Sequence, residues 1–407
     1  MASSPEHAAA LDAADLLAHF RDRFVGAESD LVYFDGNSLG RPLRVTPERM
    51  VDFLQEEWGR GLIRSWDEGW YDAPLTLGDR IGVATLGAAS GQTVVGDSTS
   101  VLLYKLLRAA VDRQVSLDPR RREIVVDHDN FPTDRYLVEG IAAERGLEVR
   151  WVSAPRDAGV GVDVLGEAVG EQTAVVLASH VAYQSGHLAD AEAITALAHE
   201  HGALMVLDLC HSVGVVPLQL DRWGVDLAVG CTYKYLNGGP GSPAFGYVKR
   251  RLQGDLVQPL QGWMGHAAPF EMAPGYLPAE GMRRFLTGTP PIVAMQPIAD
   301  MLDLIEEAGI DALREKSVAL TSYAIELADE LLSPYDVTVA TPRDAASRGS
   351  HVLLCHPRMQ EAVAGLWQRD VIPDFRNPDG LRVGLSPLST SFAEVHRGIE
   401  AVASVLA

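Results

Sequence analysis

Lys234 lies in the glycine-rich run Gly230-Cys-Thr-Tyr-Lys-Tyr-Leu-Asn-Gly-Gly-Pro-Gly-Ser-Pro-Ala-Phe. The chain writes arginine for nearly every cation: of 34 Lys+Arg, only Lys105, Lys234, Lys249 and Lys316 are lysine, leaving 34 − 4 = 30 arginines. One reaction open to an amine and closed to a guanidinium is imine formation with a carbonyl, because only the amine can shed its proton. A solvated lysine on a turn is the plainer alternative. Other residues bear on the choice. Asp208 closes the apolar run Leu204-Met-Val-Leu-Asp, with His211 three residues on. It could pair with a protonated pyridine nitrogen or simply cap the next turn. Gly96-Asp-Ser-Thr-Ser puts hydroxyls and free N–H groups where a helix starts, which suits a phosphate as well as a plain cap. Phe131, in Asn130-Phe-Pro-Thr-Asp, could lie against a planar ring or belong to the core. Taken in order these supply a phosphate cup, an aromatic cover, a pyridinium partner and an imine-forming lysine. That is the set of parts needed to hold pyridoxal phosphate (PLP).

Such parts need a scaffold that brings strand ends together. The 407 residues exceed what one hydrophobic core usually serves, so a large domain with a smaller one is expected. Candidate strands are Ile124–Asp127, Val149–Ser153, Ala174–Ser179, Leu204–Asp208, Asp226–Gly230 and Phe245–Val248, and runs such as Val175-Val-Leu-Ala and Leu204-Met-Val-Leu are continuous, as expected of strands buried on both faces. Helical patterns fall near 99–113, 133–145 and 190–201. The fold class is therefore α/β, a largely parallel central sheet with helices on both faces, whose ligand site lies at the carboxyl ends of the strands. Before it, helices are expected over 9–24 and 46–59. After about Pro290 come helices near 292–309 and 311–332, strands near Val337–Ala340, Val352–Cys355 and Leu381–Leu385, and a last helix from Ser391, which read as a smaller α+β domain. The expected division is an N-terminal segment, 1–60, contributing to the small domain, then a large cofactor domain over 61–290 and a small domain over 291–407.

A net charge of −21 argues against a nucleic-acid or anionic-membrane partner, because the field repels phosphates at range. Cys210, Cys231 and Cys355 have no CxxC spacing, so neither a disulfide framework nor a zinc site is expected. A reducing cytoplasm fits. The first residues lack a signal-peptide layout, and no apolar run is long enough to span a membrane.

Longer strings carry a resemblance over nearly the whole chain: Phe34-Asp-Gly-Asn-Ser-Leu-Gly, Asn130-Phe-Pro-Thr-Asp, Asp208-Leu-Cys-His-Ser, Tyr233-Lys-Tyr-Leu-Asn-Gly-Gly-Pro-Gly, Gly262-Trp-Met-Gly-His and Arg376-Asn-Pro-Asp-Gly-Leu-Arg. The chain resembles the kynureninases, fold-type-I PLP enzymes of the aminotransferase class V superfamily. The resemblance implies that Lys234 forms the imine with PLP, that Thr99 and Ser100 hold its phosphate, that Phe131 stacks on the ring and that Asp208 pairs with the ring nitrogen. Asp134, Ser179 and His211 would line the cofactor site. Tyr233, Trp263 and Thr289 would reach the phosphate, the last two from the partner of a homodimer with shared sites. Tyr233 would also relay protons. Arg382 would clamp the substrate α-carboxylate, and Trp66 would face the aryl ring. The implied reaction is hydrolysis of the Cβ–Cγ bond of a kynurenine to L-alanine and an anthranilate. Another fold-type-I reaction, of desulfurase or aminotransferase type, and a non-catalytic PLP-binding protein are the alternatives. The family usually has Asn at Leu102, a bulkier aromatic at Leu207, Asn or Gln at Ala182 and Tyr at Ser389, and bacterial members commonly have Arg at Gln184. Smaller side chains near the site would admit a larger ring.

Overall fold

The computed structural model describes residues 4–407. Helix α1 (Pro5–Ala14) starts at Ser4, whose hydroxyl accepts from the His7 N–H. Strand β1 (Val32–Tyr33) and helix α2 (Thr46–Asp52) follow. Each of the two helices expected in this region is split. α1 stops because the Asp15 carboxylate accepts the Leu17 N–H at 2.9 Å, and a 3-10 turn then covers Ala18–Arg23. Beyond α2 the winding loosens to i→i+5 over Phe53–Gly61, where Gly59 and Gly61 impose no side-chain packing and the Ser65 hydroxyl takes the Glu57 carbonyl at 2.6 Å.

Helix α3 (Ala73–Ile81) leads into the large sheet. Its seven strands are β2 (Thr93–Val95), β3 (Glu123–Asp127), β4 (Glu148–Val152), β5 (Thr173–Ser179), β6 (Leu204–Asp208), β7 (Leu227–Gly230) and β8 (Phe245–Val248). In space they run β2-β8-β7-β6-β5-β3-β4, all parallel except β8, which is antiparallel to both neighbours. Alternate residues serve opposite faces. Met205 and Leu207 pack toward α3 and α7 (Ala191–Glu200), while Leu204 and Val206 pack toward α4 (Thr99–Leu117) and α5 (Pro132–Arg145). Hence the uninterrupted apolar runs. Only β2 of the seven was not anticipated; three residues are too few to show a period.

Long helices over Ile292–Ala308 and Ile310–Leu331 are hinged at Gly309, whose φ of 80° favours glycine. They lead to an antiparallel sheet of β9 (Thr338–Val339), β10 (His351–Cys355), β12 (Asp374–Arg376) and β13 (Gly380–Gly384), in the order β12-β13-β10-β9. Between them β11 (Val371–Ile372) pairs in parallel with β1. The final helix, Phe392–Leu406, receives the Asp12 carboxylate on the Phe392 and Ala393 N–H groups at 2.8 and 3.0 Å. Ala8, Val32 and Phe34 thus pack with this C-terminal unit, whereas Leu17, Phe20 and Leu43 join the core of the large sheet.

Just past β5, His180 is buried, with its Nδ1 unpartnered. Burial first, and then the Arg314 charge, pull its pKa from 6.5 down to about 4. Between those values the unfolded chain binds a proton that the folded one refuses, so stability is present above pH 6.5 and is lost as pH falls toward 4. One such group contributes a slope of at most about 1.4 kcal/mol per pH unit. Urea unfolding measured from pH 7 to pH 5 should show this loss, and His180→Phe should reduce the slope. An unchanged slope in the variant would assign the acid sensitivity elsewhere.

Candidate active site

At the carboxyl edge of the large sheet, Ser179 at the end of β5 lies in register with Asp208 at the end of β6. The Cys210 N–H donates to Asp208 Oδ1 at 2.8 Å and fixes the carboxyl. The loop after β7 carries Lys234, only 8% exposed, with Nζ 3.0 Å from His211 Nε2. Its backbone is braced from the N-terminal segment. The Gly40 N–H donates to the Tyr233 carbonyl at 2.8 Å, and a β-carbon on Gly40 would meet the Lys234 carbonyl at 2.4 Å, so the approach requires glycine. Asn237, with φ 47°, turns the loop and donates to the Arg41 carbonyl at 2.7 Å.

Lys234, Tyr233, Asp208 and His211 line a single cleft with a cavity volume of about 70 Å³. Thr99 and Ser100 enter it from the first turn of α4, and Phe131 and Asp134 from the loop and first turn of α5. The Phe131 and Tyr233 ring centroids lie 6.0 and 5.9 Å from Lys234 Nζ. Eight residues singled out in the sequence are thereby brought together.

The electrostatics keep most of the site uncharged. Burial, then the Lys234 and Arg382 charges, drive the His211 pKa far below the usual imidazole range. A neutral ring can accept a hydrogen bond from the Lys234 ammonium. Burial, then Asp208 and Asp127, hold the Asp134 carboxyl well above its usual range, with Lys234 opposing. Burial, then Cys231, push the Tyr233 phenol up, so it stays a donor at neutral pH. Asp134 Oδ2 and Asn130 Nδ2 are buried with no hydrogen-bond partner among the described residues. An amine at one end, a helix N-terminus with two hydroxyls at the other, an aromatic face and unsatisfied polar atoms between them fit a flat aldehyde that carries a phosphate.

The remaining residues lie elsewhere. Ser179 donates to Asn130 Oδ1 at 2.8 Å and lines an adjoining cavity with Ala182 and Gln184. Arg382, 1% exposed on β13, lies behind Tyr183, whose ring meets the Phe131 edge at 5.5 Å. Trp66 sits edge-on to Trp70 at 5.9 Å in a separate apolar groove with Phe53 and Trp58. Trp263 is 39% exposed, and neither it nor Thr289 lines the Lys234 cleft of its own chain. Leu102 and Leu207 are core residues and Ser389 lines a different cavity, so none of the five departures from the family pattern touches the Lys234 cleft. Asn130, Tyr183, Ser38 and Asp374 were not singled out individually. Asn130 could have been, from its place beside Phe131, whereas Asp374 meets Arg382 only through strand pairing.

Residues 313–402 match the kynureninase C-terminal domain model, and residues 138–219 match the DegT/DnrJ/EryC1/StrS aminotransferase family. The kynureninase of Pseudomonas fluorescens is 43% identical over 400 residues, covering 98% of this chain and 94% of that protein. That of Burkholderia pseudomallei (strain K96243) is 42% identical over 404 residues, covering 98% and 95%. The chain belongs to the kynureninase family. Its fold is shared with an apo cysteine desulfurase from Thermococcus onnurineus NA1, with a TM-score of 0.79 at 17% identity over 95% of this chain and 97% of that one. It is shared equally with a C-DES mutant whose PLP cofactor carries a covalently linked glycine, with a TM-score of 0.81 at 18% identity over 94% and 98%. These two likenesses show the fold, which is that of the fold-type-I PLP enzymes.

If Lys234 is the imine lysine, protein supplied with PLP should be yellow, and borohydride should fix the pyridoxyl group on the peptide containing residue 234. A label on Lys105, Lys249 or Lys316 would refute that placement.

Proposed function

We propose that the chain hydrolyses the Cβ–Cγ bond of a kynurenine, releasing L-alanine and the corresponding anthranilate, with PLP as cofactor. The observation that carries this reading is the buried Lys234 amine against a neutral His211, in one cleft with Asp208 and the first turn of α4. Full-length likeness to kynureninases supplies the reaction class. Bound PLP supplies an aldehyde that condenses with amines and a pyridine ring that takes up electrons from the substrate Cα.

The residues divide the work. Thr99 and Ser100, with the N–H groups opening α4, hold the phosphate. Phe131 would cover the ring, and Asp208 would pair with its nitrogen and hold a proton there. Asp134, its carboxyl held well above the usual range by burial, would line the same site. Ser179 holds Asn130 at the rim. Lys234 is the base placed to take the substrate Cα proton, and the neutral His211 ring accepts a hydrogen bond from it. Water adds to the Cγ carbonyl, and collapse of the hydrate breaks the Cβ–Cγ bond. The electron pair of that bond stays with Cβ, and Tyr233, kept protonated by burial, is the donor that protonates Cβ to give the alanine methyl and regains a proton from the water that added to Cγ. Arg382 takes the α-carboxylate.

The working unit in this reading is a homodimer. Trp58, Leu62, Ile63, Val257 and Phe270 are exposed apolar side chains that a second copy would cover. Trp263 and Thr289 then reach the neighbour's phosphate, and Trp66 faces the aryl ring. The three-part division at residues 60 and 290 is retained, with β1 pairing to β11 as support for placing part of the N-terminal segment with the small domain. Three buried free thiols suit a reducing cytoplasm, and no described helix is long and apolar enough to cross a membrane. A desulfurase reading is disfavoured because such chemistry needs a reactive thiolate: Cys231 and Cys355 do not line the Lys234 cleft, and the thiol of Cys210, which does, is held well above its usual range by its hydrogen bond with Cys231 and by burial.

Turnover of kynurenine, 3-hydroxykynurenine and ring-methylated 3-hydroxykynurenine should release L-alanine in step with an anthranilate. Loaded protein that cleaves none of them, or that forms alanine only from cysteine, would remove the kynureninase reading. For the dimer, Lys234→Ala and Trp263→Ala chains should each be impaired alone, and their heterodimers should rebuild one complete site and recover activity. Confirmed heterodimers without recovery would rule out shared sites.

A further inference from the structure

The guanidinium of Arg382 is almost wholly engaged within the chain. Its Nε–H donates to Asp374 Oδ1 at 3.0 Å, and one Nη2–H donates to Asp374 Oδ2. The other Nη2–H reaches the Ser38 hydroxyl at 2.8 Å, and one Nη1–H reaches the Tyr183 carbonyl at 2.6 Å. Four of the five guanidinium hydrogens are thus committed, and a single Nη1–H is free. Asp374 is itself shared: Arg376 Nη2 lies 2.5 Å from its Oδ2, and Ser38 Oγ lies 3.3 Å from the same oxygen. Asp35 completes the cluster at 4.0 Å from Arg382. The Asp374–Arg382 pair faces across β12 and β13, and the Arg382 side chain is 1% exposed, so the fork cannot turn without uncovering a buried charge.

We infer that Asp374 is the positioning residue of the carboxylate clamp: it occupies the Nε/Nη2 edge of Arg382 side-on, so the free Nη1–H and the Ser38-bound end of the guanidinium are the donors presented to the substrate. This rests on reading Arg382 as the α-carboxylate site. One carboxylate oxygen takes the free Nη1–H, and the other takes the place held by the Ser38 hydroxyl. Two carboxyls, Asp35 and Asp374, border that place, and they disfavour an amino acid with a second carboxylate close to the first. A carboxylate held in this way fixes the direction of the substrate's Cα and Cβ relative to Lys234 and adds to binding before any bond changes.

Charge and geometry predict opposite results for Asp374→Asn. Removing a negative charge leaves the cluster more positive, so an Arg382 acting by charge alone would bind the substrate more tightly and lower KM. A loosened fork raises it. With PLP-loaded enzyme, the expected result is a KM for kynurenine raised about tenfold or more with kcat within about threefold, the signature of lost binding common to ground and transition states. The inhibition constant for L-alanine, which keeps the α-carboxylate, should rise in parallel, while that for 2-aminoacetophenone, which lacks it, should not move. Asp374→Glu provides a second measurement where the asparagine variant does not fold, because the longer arm keeps the charge but displaces the guanidinium, and the same KM and L-alanine pattern is expected. An unchanged or lowered KM in a folded variant would overturn the inference. Arg382→Gln separates the two levels. If it leaves KM unchanged, the α-carboxylate reading falls; if it raises KM while both Asp374 variants match the native enzyme, the positioning role falls.

Discussion

The site depends on keeping one amine out of water without leaving its charge unsatisfied. Lys234 is 8% exposed, and His211 stands at hydrogen-bond distance from its nitrogen. Burial makes that histidine neutral, and the neighbouring Lys234 charge reinforces it. A protonated imidazole there would repel the lysine; a neutral one accepts from it. The same exclusion of water holds Asp134 and Tyr233 protonated, so one physical cause prepares several groups for proton transfer. Its structural requirement is a loop pressed closely against its neighbours, and Gly40 and Asn237 meet that requirement from two sides.

The scarcity of lysine takes on a wider meaning in the folded chain. Lys105 is wholly buried and donates to Asp97 at 2.9 Å, to Thr287 Oγ1 at 2.7 Å and to the Phe285 carbonyl, joining the loop before α4 to the segment that carries Thr289. Lys316 is buried against Asp15 at 2.6 Å. Lys249 donates to the Gly224 carbonyl at 3.0 Å. In an arginine-biased chain, lysine persists where a compact point donor fits a small set of acceptors, as well as where an amine is needed for chemistry. The bias that singled out Lys234 therefore had a packing component at the other three positions.

Strands buried on both faces, such as β5 and β6, were legible because each is a continuous apolar run with turn formers at its ends, and β3 to β8 lie where strands were expected, although the edge strand β4 is largely exposed. Of the strands of two or three residues only β9, inside the expected Val337–Ala340, was legible. β1, β2, β11 and β12 are too short to carry a period, and their existence is decided by the strand they pair with. The helical pattern over 9–24 also misled, because apolar spacing does not register an Asp15 side chain that takes a backbone N–H and breaks the winding.

The sequence by itself determined which side chains the cleft gathers: Lys234, the strand-end Asp208, the hydroxyls of Thr99 and Ser100 at a helix start, and Phe131. Each is carried by a short motif at the end of a strand or the start of a helix, so its place follows from the local element and the parallel sheet gathers the set. Tertiary structure alone decided the company of Arg382, whose guanidinium is held by Ser38, 344 residues away, and by Tyr183, 199 residues away. It also separated Trp66, Trp263 and Thr289 from the Lys234 cleft of their own chain. The reason is that local sequence dictates backbone path and side-chain type, whereas contacts across such separations exist only once two independently formed units have packed and excluded water between them.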